Sequence, residues 1–204
     1  MIVVIDYGLG NLGSIANMLK KVKAEVLVSS RVDDIQKAEK LILPGVGPFD
    51  AGMKNLAGRG LIDLLNEKVV KGKTPILGLC LGMQLFTQKS EEGVLPGLGW
   101  IEAETVRFHF EDQTILKIPH MGWNFIKREQ DNPIFTDFDE ETRFYFVHAF
   151  HCICHHKENI LAITNYGYDF PSMIVKGNIV GTQFHPEKSH KFGMRLFKNF
   201  VERF

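Results

Sequence analysis

Cys80 stands between Gly78 and Gly82, at the end of the run Pro75-Ile76-Leu77-Gly78-Leu79 and directly before Leu81-Gly82-Met83-Gln84-Leu85-Phe86. A buried strand that bends sharply into a helix at such a point forms a nucleophile elbow. The bend holds its central residue in a strained conformation costing about 1–3 kcal/mol, and it closes only if the residues two before and two after are small. Both are glycine here. The thiol then faces the start of the next helix, where free N–H groups and the dipole favour a thiolate. A free cysteine, with a pKa of about 8.5, is mostly thiol at neutral pH, so a catalytic one needs an imidazole partner. Gly181-Thr182-Gln183-Phe184-His185-Pro186-Glu187 puts His185 at the end of another strand, with Glu187 two residues further on and Pro186 stiffening the link. That spacing lets a carboxylate hold one ring nitrogen while the other faces a thiol, as a catalytic triad requires. The expected chemistry is covalent catalysis, with Cys80 as nucleophile, His185 as general acid and base, and Glu187 as orienter. A buried cysteine beside packing glycines, or a His-Pro-Glu surface turn, is the blander explanation of either motif alone; the pair is hard to explain by packing.

These residues need rigid elements beneath them. Ile2 to Ile5, Glu25 to Val28, Leu41 to Leu43 and Pro75 to Leu79 read as short buried strands, and Leu12 to Val22 and Asp33 to Ala38 as helices, with Leu61, Ile62, Leu64, Leu65 and Val69 on one helical face. Short apolar strands separated by helices imply crossovers, hence a parallel sheet covered on both faces. After Gly99 the pattern turns β-rich: 101–107, 114–118, 123–127, 142–154, 160–164, 171–176 and 178–184 read as strands, joined by turns such as Lys176-Gly177-Asn178. A closing helix follows Ser189, a good N-cap, with Phe192, Leu196, Phe197, Phe200, Val201 and Phe204 on one stripe. The expected fold class is α/β, an open mixed sheet that is parallel in its first half with flanking helices and β-rich in its second, in one domain over 1–204.

The 204 residues carry 24 basic and 24 acidic side chains, a formal net charge of zero. Such a chain lacks the positive field that holds nucleic acid or an anionic membrane, so neither is expected as a partner. Three cysteines make no disulfide framework and suit a reducing compartment. The start, Met1-Ile2-Val3-Val4-Ile5-Asp6, does not read as a signal peptide, and no apolar run approaches the roughly 20 residues that span a bilayer. The expected setting is the cytoplasm.

Two motifs compete for attention. Gly8-Leu9-Gly10-Asn11-Leu12-Gly13 fits the dinucleotide-binding turn. However, Val28 is followed by Ser29-Ser30-Arg31 rather than an acid for the ribose, and Asp6 would sit beside the pyrophosphate. A tight glycine turn is expected there, with no cofactor. His151-Cys152-Ile153-Cys154-His155-His156 is dense in zinc-ligand types, but C-x-C is tighter than the usual hook, and on a strand Cys152 and Cys154 share the face of Phe146, His148 and Phe150. Strand packing is expected there, with no metal.

With these motifs in place the sequence resembles the class I, or triad, glutamine amidotransferases. Within them it is similar to the glutaminase subunits that serve a (β/α)8-barrel cyclase in histidine biosynthesis. The resemblance runs along nearly the whole chain, through Asp6-Tyr7-Gly8-Leu9-Gly10-Asn11-Leu12, Pro44-Gly45-Val46-Gly47, Gly78 to Gln84, Ser90-Glu91-Glu92-Gly93, Pro119-His120-Met121-Gly122-Trp123-Asn124, Tyr145-Phe146-Val147-His148 and Gln183 to Ser189. It implies hydrolysis of glutamine to glutamate and ammonia by Cys80, His185 and Glu187, and a first turn that binds no dinucleotide. It implies an oxyanion hole from the N–H of Leu81 and one from the Val46–Gly47 region, where a peptide flip near Val46 would be a physical switch. Gln84 and Glu92 match positions that contact the bound glutamine, Glu92 meeting its ammonium.

Ammonia released at neutral pH becomes ammonium unless shielded, and nothing in the chain resembles a phosphate-binding synthase. A partner is therefore implied: a (β/α)8-barrel synthase (cyclase) subunit in a heterodimer. Met121, Gly122 and Trp123 are candidate contacts, as aromatic anchors are enriched in interfaces, although Trp123 in the core is the alternative; His148 and Lys188 are further candidates. Gly99-Trp100-Ile101-Glu102-Ala103-Glu104 is unusual for the histidine-pathway subunit. Paralogues that supply ammonia to a surface-sugar amidotransferase are thus an alternative, and another cysteine hydrolase on the same scaffold, or a pure binding module, a more distant one.

Overall fold

The computed structural model describes residues 1–111 and 116–204. Its first part alternates β1 (Ile2–Ile5), α1 (Leu12–Lys21), β2 (Val26–Ser29), α2 (Val32–Lys37), β3 (Lys40–Leu43), α3 (Phe49–Gly58), α4 (Leu61–Leu65), β4 (Ile76–Leu79) and the one-turn helix α5 (Leu81–Gln84). There follow β5 (Lys89–Ser90), β6 (Ala103–Arg107), β7 (His120–Phe125), β8 (Lys127–Arg128), β9 (Arg143–His148), β10 (Phe150–Cys154), β11 (Ile160–Tyr166), β12 (Tyr168–Lys176), β13 (Ile179–Thr182) and α6 (His190–Arg203). An eight-stranded sheet runs β2-β1-β3-β4-β13-β12-β11-β8. It is parallel from β2 to β13 and antiparallel beyond. The small sheets β10-β6-β5 and β7-β9 stand apart from it.

Strands β1, β3 and β4 are apolar without alternation because both their faces are buried, whereas β2, at the sheet edge, leaves Leu27 and Val28 exposed. Along β1, Ile2 and Val4 face a core with Ile15, Leu19, Leu77, Phe184 and Leu196, while Val3 and Ile5 face another with Leu43, Leu56, Leu61, Ile76 and Phe86. Helices α1 and α6 thus cover one side, α3 and α4 the other. Each fully buried Val, Leu or Ile contributes roughly 1.5–3 kcal/mol relative to exposure, enough to fix the strand ends that carry the chemistry.

Several elements differ from expectation. Helix α3 is unforeseen: Gly52 lowers its helical signal, yet a Cβ there would come within 3.0–3.1 Å of Leu85, so the glycine permits close helix packing. The 61–69 face breaks into α4 and a π-helical turn, Asn66–Lys71. The 142–154 run divides at Ala149 into β9 and β10. Of the strand expected at 114–118, residues 114 and 115 lie outside the described residues and 116–118 are not strand. Ser189 precedes α6 but makes no side-chain cap; its hydroxyl serves His185 instead. Among the described residues no helix is long and apolar enough to cross a membrane.

The sheet order decides where the site lies. Leu43 pairs with Gly78, and Leu79 with Thr182, so the chain leaves β3, β4 and β13 side by side at their carboxyl ends. Open α/β sheets place their sites in this region.

Candidate active site

The bend at Cys80 has φ 51° and ψ −107°, a conformation that L side chains rarely adopt. Its peptide is tied across the sheet, Cys80 N–H donating to the Thr182 carbonyl at 2.7 Å. The flanking glycines are sterically required. A Cβ at Gly82 would stand 1.9 Å from the Leu43 carbonyl oxygen, and one at Gly78 would stand 2.5 Å from the Phe86 ring. Only one helical turn follows the elbow, so the aligned dipole that the sequence promised is short; the close partners of the sulfur matter more.

His185 is fixed through its backbone. Its N–H donates to the Tyr145 carbonyl at 2.9 Å. Its carbonyl accepts from Ser189 Oγ at 2.7 Å, and that oxygen accepts from Tyr145 N–H at 3.0 Å. The ring's Nδ1 meets Glu187 Oε1 at 2.8 Å, with both side chains 2% exposed, which directs Nε2 toward the thiol. Burial by itself would lower the His185 pKa; the charge and hydrogen bond of Cys80, followed by those of Glu187, outweigh it and raise it to about 10. The arrangement favours an imidazolium beside the sulfur.

Two side chains escaped the sequence reading. Gln183, fully buried, directs Nε2 at Cys80 Sγ, 3.7 Å away. Its orientation is set by Gln84, whose Nε2 donates to Gln183 Oε1 and to the Phe150 carbonyl, each at 3.2 Å. The signal was its place two residues before His185, on the same face of an extended chain. Tyr7, also fully buried, donates its hydroxyl to the Pro44 carbonyl at 2.6 Å. Burial first, and the charge of Cys80 second, push its pKa up. Tyr7 lies two residues beyond the end of β1 and tethers the segment that leaves β3.

A cavity of about 150 Å³ is lined by Val46, Gly47, Cys80, Leu81, Gln84, Glu92, His148, His185 and Lys188, with Val147 and Phe150. Cys80 and His185 and the expected oxyanion and substrate residues therefore meet in one place, with Glu187 behind the imidazole rather than in the cavity wall. Gly47 has φ +124°, open to glycine and costly for other residues. Glu92 Oε2 accepts from Phe49 N–H at 2.9 Å. The glycine turn that mimics a dinucleotide site serves the same end of the sheet: Gly10 has φ +103°, and a Cβ on it would stand 2.8 Å from Pro44.

The expected docking residues divide. Met121 and Trp123 are 62% and 43% exposed, on the outward face of β7 with Phe125, and Gly122 lies between them at φ +131°. The Trp123 ring stacks on His190 at 5.7 Å and is outside the core. Lys188 is exposed at the cavity rim. His148 is 5% exposed and lines the cavity, so in this chain it offers no outer surface. Its Nδ1 bonds the Phe150 carbonyl at 2.7 Å and its Nε2 bonds His120 Nδ1 at 3.0 Å.

The 151–156 tract has separate partners. Cys152 is buried 3.8 Å from Thr105 Oγ1, His151 bonds Tyr168, His155 bonds Glu104 and His156 bonds Glu102. Burial raises both thiol pKa values, that of Cys154 to about 12, so both stay thiols at neutral pH. Among the described residues no three His, Cys, Asp or Glu side chains gather to hold a metal ion.

A thiol on a strained elbow, a carboxylate-held imidazole and an adjoining glycine-bearing segment define a cysteine amidohydrolase site. The chain belongs to the class I glutamine amidotransferases, whose family profile matches residues 3–204, and it is an enzyme of that kind. It is 54% identical to imidazole glycerol phosphate synthase subunit HisH 2 of Methanococcus maripaludis, with 100% of both chains covered. It is 52% identical to subunit HisH 2 of Pseudomonas aeruginosa (99% of each covered) and 45% identical to subunit HisH 1 of M. maripaludis (99% of each). A crystal structure of a glutamine amidotransferase shares the fold at TM-score 0.71 and 21% identity, with 99% of this chain and 98% of that one covered.

Proposed function

We propose that this chain is the glutaminase subunit of an imidazole glycerol phosphate synthase in histidine biosynthesis. Cys80 sulfur attacks the side-chain amide carbon of glutamine, and the C–N bond breaks as His185 protonates the departing nitrogen, releasing ammonia. Water, deprotonated by the same imidazole, attacks the thioester and frees glutamate and the thiol. N–H groups of Leu81 and the Val46–Gly47 segment hold the oxyanion; one such donor is typically worth about 2.7–4 kcal/mol. Gln84 and Glu92 bind the substrate. The observation that carries this reading is Cys80 at φ 51° beside an imidazole held at 2.8 Å by a buried carboxylate.

The acceptor of ammonia lies on another chain, a (β/α)8-barrel cyclase, met by Met121, Gly122, Trp123 and Lys188 in a cytoplasmic heterodimer. A glutamine-like chloroketone tests the nucleophile. It will label Cys80 and neither Cys152 nor Cys154; labelling of the latter pair instead would remove Cys80 from its role. Purification of the chain from its cell tests the partner, through the identity of the synthase that accompanies it.

One observation favours a second reading. The chain is nearer to subunit HisH 2 of M. maripaludis than to HisH 1 of the same organism, 54% against 45%. A duplicated subunit is free to serve a second acceptor, such as a surface-sugar amidotransferase. The glutaminase chemistry is the same in both readings, and the companion synthase separates them.

A further inference from the structure

We propose that Asp50 is a positioning residue that fixes the carboxylate of Glu92 relative to the oxyanion segment, and thereby sets the preference for glutamine's α-ammonium. This rests on the assignment of Glu92 to that ammonium. Asp50 sits in the first turn of α3, a few residues after Val46 and Gly47. Its Oδ1 accepts from the backbone N–H of Val94 and of Leu95, each at 3.1 Å, and its Oδ2 from Val94 at 3.2 Å. The return bond runs the other way, from Phe49 N–H to Glu92 Oε2 at 2.9 Å. Helix start and substrate loop are thus cross-tied in both directions.

Gly93 is shaped to this contact, since a Cβ there would stand 1.9 Å from Asp50 Oδ1. On the other side of the loop, Ser90 Oγ accepts from Glu92 N–H at 3.1 Å. Glu92 lines the catalytic cavity, while Asp50 and Gly93 do not, so Asp50 acts through its neighbour. With one oxygen of Glu92 held by α3, the other is left for a ligand. The span from Glu92 to the oxyanion donors then becomes a fixed length, to be matched by a substrate carrying an ammonium at one end and an amide at the other.

The test uses saturation kinetics of Cys80 inactivation, with the glutamine-like chloroketone and its homologue lacking the α-amino group. For Asp50→Ala, the half-saturation concentration for the amino-bearing reagent will rise about tenfold, the loss of a charge-assisted contact. The limiting rate will stay within about twofold, and the value for the homologue will stay unchanged. Asp50→Asn keeps one acceptor oxygen for Val94 and Leu95 but replaces the other, which also faces the Val94 N–H, with a donor, so its value will fall between those of the wild type and Asp50→Ala. Glu92→Ala must abolish discrimination between the reagents; if it does not, the assignment of Glu92 fails and the proposal with it. If Glu92→Ala abolishes discrimination but Asp50→Ala leaves it intact, or weakens both reagents equally, the role given to Asp50 is overturned.

Discussion

The side-chain amide of Gln183 points its nitrogen at the sulfur of Cys80, 3.7 Å away, and no other orientation suits its neighbours. Gln84 has already committed its own NH2 to the Phe150 carbonyl and to Gln183 Oε1. Cys80 Sγ therefore has a second hydrogen-bond donor, carried on the strand end that also carries His185. Gln183→Leu removes that donor while keeping the volume. Hydrogen bonds to charged groups are worth about 1.5–3 kcal/mol, so alkylation of Cys80 at neutral pH should slow about tenfold or more, measured as the second-order rate with iodoacetamide. An unchanged rate would mean that the contact does nothing for the thiolate.

The His185 ring, held at about 10, should titrate far above an ordinary imidazole. Its folded value exceeds its unfolded one. The stability it contributes is therefore complete below about 6.5 and is lost as pH rises through about 10. An NMR titration of the ring protons reads the value directly. Cys80→Ala and Glu187→Gln each remove a cause of the upward shift, and each should bring the midpoint down. Glu187→Gln should also lower the glutaminase rate roughly 10²–10⁴-fold, the usual range for acid–base catalysis.

Three other buried histidines act in the opposite direction. Burial lowers His120 to about 4, and lowers His148 and His151 as well. These rings are neutral in the fold and become charged more readily once unfolded. Stability is therefore full above about 6.5 and falls as pH drops through about 4. Urea unfolding at pH 7, 6, 5 and 4 should show the midpoint falling across this interval. In His120→Asn the fall should be shallower; an equally steep fall would assign the acid sensitivity elsewhere.

Separation of the two half-reactions gives a further prediction. In the complex with its synthase, Cys80→Ala should abolish product formation from glutamine while leaving formation from added ammonia at the wild-type level. Equal loss of both would refute the assignment of the amide chemistry to this chain. Product assayed with each nitrogen source in turn is the measurement.

The bend at Cys80 was legible because steric demands leave marks in sequence. An elbow admits glycine on both sides of its cysteine, and Gly78 and Gly82 have no room for a methyl group. The parallel half of the sheet was legible for a similar reason, since strands buried on both faces read as unbroken apolar runs. Gln183 and Tyr7 were less visible, because their roles depend on which strands are neighbours, and local pattern does not encode that. Ser189 matched a helix cap by type, yet its hydroxyl holds the Tyr145 and His185 backbones together, a tertiary demand that overrides the local preference. His148 was legible as part of a motif but not as buried; its contact with His120 comes from the pairing of β7 with β9.

Cys80 and His185 follow β4 and β13, adjacent in space although far apart along the chain. Thiol and imidazole do not meet until those distant segments have found each other. Contacts so remote along a chain are slow to form because loop-closure entropy opposes them. The return of glutaminase activity during refolding is thus a clock for the closing of the sheet, and a chain stalled before that step turns over no glutamine however much helix it has already gained.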